Sequence, residues 1–375
     1  MKVVVALDSF KGSLSAKDAC HAVAEGLTQN QGDVEILCLP ISDGGDGLLD
    51  AVHDSCLSKG FREQRLTVSG PYTQPTTVTL LVKGSTCLME MAQSSGLDLV
   101  PKSQRRTMFA STYGLGQAID YALCRGCREF WIGLGGSATN DLGLGAMQAL
   151  GCRFFDRDGQ LIEAPFKACD LIRLDHIEDG FLQERRHSAS FIGVADVNNP
   201  LLGENGATRV FGPQKGADSS DLDALEAGMR HAAAVLADHF KADVSDQPGA
   251  GAAGGLGAGL MWFMNASLKG GADTVLNLLK FDDALNGADW VITGEGRFDT
   301  QSLSGKAPLG VIERAKRRSI PVCVFCGESL ISESDALAMG ISQISQVIEK
   351  ARDRDDAMQN ARFYLGELAR AFSVV

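Results

Sequence analysis

Val3 to Ala19 reads VVVALDSFKGSLSAKDA. The first five residues are apolar and mostly β-branched, and so short a run predicts a buried strand. The last five predict a helix start, because Asp18 follows Ser15 at the capping-box spacing. Between them Asp8, Ser9, Lys11, Gly12 and Ser13 put a carboxylate, an amine and hydroxyls into one strand-to-helix turn. A strand leading at once into a helix is the unit from which parallel sheets are built.

The unit recurs outward from there. VEILCLP (34–40) predicts a second strand, and ISDGGDGLLDAV (41–52) a Gly- and Asp-rich turn entering a helix near 47–57. At the other end, ADWVITGEGRFD (288–299) predicts a strand at 290–293 and an acidic Gly-rich turn. APLGVIERAKRR (307–318) predicts a helix with Pro308 near its start. PVCVFCGE (321–328) and ISQISQVIE (341–349) predict two more strands, and DAMQNARFYLGELARAF (356–372) a closing helix. Two strands from one end and three from the other make one sheet if the halves join.

The fold class expected is therefore α/β: a flavodoxin-like, doubly wound parallel sheet built from both chain ends, residues 1–65 and 287–375, with a large second α/β domain inserted at 66–286. In the insert, GPYTQPTTVTLLVKGSTCLMEMAQSSGL (70–97) predicts hairpin strands. A helix at 112–125 and the strand REFWIGLGG (128–136) follow.

Length agrees with two domains, since 375 residues exceed one ordinary core. With 45% hydrophobic and 22% charged residues the chain is globular, and a net charge of −12 argues against nucleic acid or an anionic membrane as partner. Residues 1–7 are too short for a signal-peptide core, and no stretch approaches the roughly 18 apolar residues of a spanning helix. A cytoplasmic monomer or homodimer with a small-molecule substrate is expected. Cys124/Cys127 and Cys323/Cys326 have zinc-ribbon pair spacing but lie about 200 residues apart, so they read as small hydrophobes.

In a doubly wound sheet, ligands lie at the carboxyl ends of the strands. Three polar turns fall there: Asp8–Ser15, Ser42–Gly47 and Thr293–Lys306. Lys11 precedes its glycine, and Lys306 is followed by Ala307, so neither belongs to a Walker A loop. Lys11 reads equally as a solvated surface charge. GLGGSATNDLGLGAMQALG (133–151) follows a strand and fits G-x-G-x-x-A, with Asp156 about twenty residues beyond Gly135. That raises the alternative of an NAD-dependent oxidoreductase acting on a small hydroxy acid. A phosphate cradle needs only the bare backbone N–H groups. GAGAAGGLGAGL (249–260) is a weaker match, open to simple close packing. Asp196, at a strand end before Asn198 and Asn199, suits Mg²⁺; the stretch reads equally as an Asx turn at Asn199-Pro200. Glu295, Arg297, Asp299 and Lys306 supply the base and positive charge that phosphoryl transfer uses, and would also make an ion-pair network. No histidine lies in these turns, which disfavours a Ser-His-Asp hydrolase.

ALDSFKGSLSA, PISDGGDG, GCREFWIGLGGSATNDLGLGAMQALG, DVNNPLLGENGATRVFGPQKGA, PGAGAAGGLGAG and VITGEGRFDTQSLSGKAPLGV together resemble the signature blocks of the type I glycerate kinases, in order, from residue 2 to about 375. The resemblance implies ATP- and Mg²⁺-dependent phosphorylation of D-glycerate at the 2-hydroxyl, by a flavodoxin-like domain carrying an inserted α/β domain. Joined to the turns above, it leads to these expected roles. Gly135, Gly136, Ser137, Thr139 and Asn140 cradle the ATP phosphates, with Lys215, and Asp196 holds Mg²⁺. Asp8, Ser9, Ser13, Lys11 and Arg297 bind glycerate. Asp299 or Asp43 accepts the hydroxyl proton, and Lys306 or Lys215 steadies the γ-phosphate, with Lys11 close to the reaction.

Overall fold

In the computed structural model, which describes residues 1–30, 34–45, 47–180, 182, 188–299 and 307–372, the opening apolar run is the strand Lys2–Leu7, buried from Val3 onward. It pairs in parallel with Glu35–Cys38 on one side and Trp290–Gly294 on the other. Val322–Cys326 and Ile341–Gln346 continue the sheet beyond Trp290–Gly294, also in parallel. The two chain ends thus form one five-stranded sheet in the flavodoxin-like order 2-1-3-4-5. The order explains the composition: strands covered on both faces read as near-continuous apolar runs, and every residue of Val322–Cys326 is buried.

The helix Ala16–Asn30 starts where the capping pair placed it, with the Asp18 N–H donating to Ser15 Oγ at 3.1 Å. It crosses the helix Ala361–Ala371 so closely that a Cβ on Gly26 would lie 2.4 Å from the Gly366 carbonyl oxygen. The closing helix expected at 356–372 is two helices, Arg354–Gln359 and Ala361–Ala371. The corner at Asn360 is held by Asp356, whose carboxylate accepts from Arg352, Asn360 and Tyr364.

The chain divides into two compact units, Met1–Ser58 with Gly270–Val375, and Lys59–Lys269. Pairing sets the first boundary before residue 65: Arg62–Ser69 bonds along its whole length to Pro75–Lys83, within the insert. The second falls before residue 286, because the helix Gly271–Leu278 is tied to the host through Arg314, whose guanidinium reaches Asp273, Asn277 and Asp282. The insert has a six-stranded sheet in the order Ser267–Lys269, Ser190–Val194, Glu129–Gly133, Thr86–Glu90, Pro75–Lys83, Arg62–Ser69. Its first four strands are parallel and the hairpin strands antiparallel. Cys323 and Cys326 lie inside their buried strand, as small hydrophobes do. Among the described residues no helix is long and apolar enough to cross a membrane.

Candidate active site

In the first unit the chain leaves the ends of three adjacent strands as tight, mutually packed turns. The Asp8 N–H donates to the Gly294 carbonyl at 2.9 Å. Phe10 and Leu14 then exchange backbone hydrogen bonds, both at 2.9 Å, closing residues 10–14 into a small loop with Gly12 at φ +76°. Gly296 sits against Phe10, and a Cβ on Gly327 would meet the Gly296 carbonyl at 2.3 Å. Having met its hydrogen bonds locally, this backbone leaves the polar side chains to face a cavity of about 400 Å³.

Asp8, Ser9, Lys11, Ser13, Asp43, Arg297 and Asp299 all line that cavity, together with Glu295, Glu328, Arg354 and Met358. The first seven, and Glu295 with them, are the residues singled out from the three polar turns. Lys306 lies outside the described residues. Arg354 and Met358 come from the segment 354–361, which sequence patterning did not connect to the site. The Gly26–Gly366 crossing anchors that segment beside the first turn, and Ser13 Oγ donates to the Met358 carbonyl. A pair of glycines facing each other from opposite ends of the chain was the available signal.

Charge in the cavity is mixed. Arg297 Nε lies 3.2 Å from Asp299 Oδ2, and Arg354 lies 3.8 Å from Glu328. Burial, reinforced by the charges of Asp43 and Glu295, pushes the Asp8 carboxyl up to about 8, against the opposing pull of the Ser9 N–H and Lys11. The folded state therefore holds a proton on Asp8 that the unfolded chain, with a carboxyl near 3.8, has already released. By linkage, this group's contribution to stability is full below about pH 4 and is lost as pH rises to about 8. Asp8→Asn is expected to shrink the difference in urea midpoint between about pH 5 and pH 8.5. An unchanged difference would contradict that.

In the second unit the strand Glu129–Gly133 ends in the loop 134–143. Leu97 donates to the Gly136 carbonyl at 2.8 Å, and Ala138 to Ser95 at 2.8 Å. Lys215 is buried beneath this loop, with Nζ 2.8 Å from Ser137 Oγ and 2.6 Å from the Thr139 carbonyl. Burial brings its amine down to about 7, opposed by Asp141. Lys215 is thus brought together with Ser137 and Thr139. Thr139 Oγ1 and Asn140 Oδ1 are buried with no hydrogen-bond partner among the described residues.

Asp141 organises the loop's end. Its carboxylate accepts from Thr112 N–H (2.7 Å) and Oγ1 (2.8 Å), Gly143 N–H (3.2 Å) and Gly145 N–H (3.3 Å). The dinucleotide reading fails here. The next helix begins only at Leu144, not at the turn's third small residue. Asp156 is a turn residue, accepting from Asp158 and Gln160 and paired with Arg173 at 3.3 Å. The second Gly-rich stretch is a packing surface: a Cβ on Gly254 would lie 2.0 Å from the Thr139 carbonyl, and one on Gly259 2.2 Å from that of Leu142.

Asp196 is half-buried just past the strand Ser190–Val194. Among the described residues no group of three or more His, Cys, Asp or Glu could hold a metal. A single carboxylate still fits Mg²⁺, which binds through one or two carboxylates plus water and phosphate oxygens.

A profile described as the glycerate kinase family matches residues 3–374. The chain is 38% identical to the glycerate kinase of Bacillus subtilis (strain 168), over 99% of this chain and 96% of that one. It is 38% identical to the glycerate 2-kinase of Escherichia coli (strain K12), over 96% and 94%. A crystal structure of a Salmonella typhimurium LT2 protein assigned as glycerate kinase 2 superposes with a TM-score of 0.80, at 36% identity, over 99% of this chain and 98% of that one.

Proposed function

Because the chain belongs to the glycerate kinase family, we propose that it transfers the γ-phosphoryl group of ATP to the 2-hydroxyl of D-glycerate, giving 2-phospho-D-glycerate and ADP. It is a phosphotransferase with an alcohol acceptor, and it phosphorylates glycerate. The observation that carries the residue roles is the convergence of the three polar turns on one small cavity.

Glycerate is a three-carbon acid with two hydroxyls. Its carboxylate calls for cations, and Lys11 and Arg297 line the cavity, Arg297 oriented by Asp299. A guanidinium grips a carboxylate through paired N–H donors, while a lysine acts as a compact charge. Ser9 and Ser13 offer hydroxyls to the substrate's own. A cavity carboxylate accepts the proton of the attacking hydroxyl.

The nucleotide phosphates are assigned to Gly135, Gly136, Ser137, Thr139 and Asn140. Lys215 holds that loop in shape through Ser137 and Thr139. Phosphate chemistry in kinases rests on positioning and charge rather than covalent help, which suits a loop fixed from beneath. Asp196 would hold Mg²⁺, which supplies charge neutralisation on the phosphate oxygens when bound. Lys306 is assigned to the γ-phosphate. The protein works in the cytoplasm, as a monomer or homodimer.

The test is a coupled assay with ATP, Mg²⁺, D-glycerate, enolase and pyruvate kinase, without phosphoglycerate mutase. Pyruvate formation is the expected result. ADP release without pyruvate would move the product to the 3-phosphate, and no ADP at all would end the reading.

A further inference from the structure

Resting on that reaction, we propose that Asp8 is the proton acceptor for the glycerate hydroxyl, rather than Asp43 or Asp299. As the hydroxyl oxygen bonds to the γ-phosphorus of ATP, the O–H bond breaks and its proton passes to the Asp8 carboxylate. The bond from the γ-phosphorus to the bridging oxygen breaks with its electron pair, and ADP leaves.

Position argues for it first. Asp8 directly follows the strand Lys2–Leu7, an interior strand at the point where strand order reverses, and its N–H is fixed to the Gly294 carbonyl. Ligands of open α/β sheets lie at that reversal. Asp8 lines the cavity, and of its two carboxylate oxygens only Oδ1 takes a hydrogen bond among the described residues, from the Ser9 N–H at 2.6 Å.

The other two carboxylates have structural uses. Asp299 pairs with Arg297. Asp43 Oδ1 accepts from the Gly45 N–H at 2.9 Å and shapes its own turn. The surroundings of Asp8 also favour the protonated product of the transfer. Asp43 and Glu295 approach from the two flanking turns, and the Ser9 N–H and Lys11, both on Asp8's own turn, oppose them. Cys20 faces Asp8 from the helix Ala16–Asn30, as a neutral thiol pushed up by burial. On the far side of the cavity Glu328 and Arg354 face each other as a pair. A base is most effective when its affinity for protons matches the working pH, and the carboxyl of Asp8 sits at about 8.

The experiment is kcat and kcat/KM for D-glycerate from about pH 5.5 to 9.5, for the full-length wild type, D8N, D43N and D299N, with circular dichroism on each. The wild type should lose kcat/KM as pH falls through about 8. D8N should lose this limb together with about 10²-fold or more of kcat. D43N should keep the limb and move it to lower pH, because a neighbouring negative charge has gone. D299N should keep the limb where it was and raise KM through a loosened Arg297. The wild-type and D43N profiles decide the matter even if D8N does not fold. A folded D8N with kcat within about fivefold of wild type overturns the proposal, as does a limb that vanishes in D43N or D299N instead. A wild type inactive on glycerate would remove the reaction itself, a result plainly different from an active wild type with an indifferent Asp8.

Discussion

Gly294→Ala is expected to cost the first unit about 4 kcal/mol and to lower its melting temperature by roughly 10 °C. An ideal Cβ at this position lies 1.7 Å from the Phe325 carbonyl oxygen, and the backbone is at φ +155°, a conformation that L residues rarely adopt. Neither the oxygen nor the residue can yield cheaply. Phe325 is in the adjacent buried strand, and the Gly294 carbonyl holds the Asp8 N–H. The added methyl must prise apart two central strands and move the cavity's first turn with them. Catalysis should fall even in the fraction that stays folded, because Asp8 and Glu295 flank the displaced contact. Calorimetry on the variant checks this, and a melting temperature within about 3 °C of wild type would show that the sheet yields more easily than argued.

Asp141→Ala should have a comparable cost, placed in the other unit. Truncation leaves the buried N–H groups of Thr112, Gly143 and Gly145 and the Thr112 hydroxyl without their acceptor. Each stranded buried donor costs about 1–3 kcal/mol before relaxation, and a total near 4 kcal/mol is expected. The same carboxylate joins the loop 134–143 to the starts of the helices Tyr113–Cys124 and Leu144–Ala149. The loop should therefore lose its shape, and KM for ATP should rise more than KM for glycerate. Asp141→Asn, which keeps the volume and one acceptor oxygen, should recover about half the stability. Trp131 and Trp262, two of the chain's three tryptophans, lie in this unit, so fluorescence-detected urea unfolding reports on it. Equal losses in the two variants would argue against the hydrogen-bond account.

The first unit was legible because its determinants are local. VVVAL and VCVFC announce strands covered on both faces, and DSFKGSLS, SDGGDG and TGEGRFD announce turns loaded with charge. Once parallel strand order is accepted, those turns must share an edge. What stayed hidden depends on contacts distant in sequence. Nothing in ARDRDDAMQNA says that Arg354 and Met358 reach the cavity; the Gly26–Gly366 crossing decides it. GLGGSAT matched a dinucleotide fingerprint because a pattern of glycines does not record where the next helix starts. Gly145 is unfavourable to a helix by propensity, but a Cβ there would meet Ser111 Oγ at 2.3 Å and Asp141 Oδ2 at 2.8 Å. Its reason lies in the neighbouring loop. Lys215 is another such case: its motif assigns it to the phosphates, but nothing in the motif says that it is 2% exposed and bonded to Ser137 and Thr139.

The register Val3↔Trp290 carries a consequence for synthesis on the ribosome. The strand Lys2–Leu7 has a neighbour on one side within forty residues, yet its other neighbour emerges only after the whole insert has been translated. At roughly 5–20 residues per second, that interval is on the order of 10–60 s. The sheet Arg62–Lys269 needs nothing from outside its own span and is complete by then. Nascent chains should thus carry a folded insert on an unfinished host, whose apolar first strand stays without its central partner until the C-terminal third arrives. A chaperone that holds short apolar segments would find its binding site at residues 2–7, during that window and not after it.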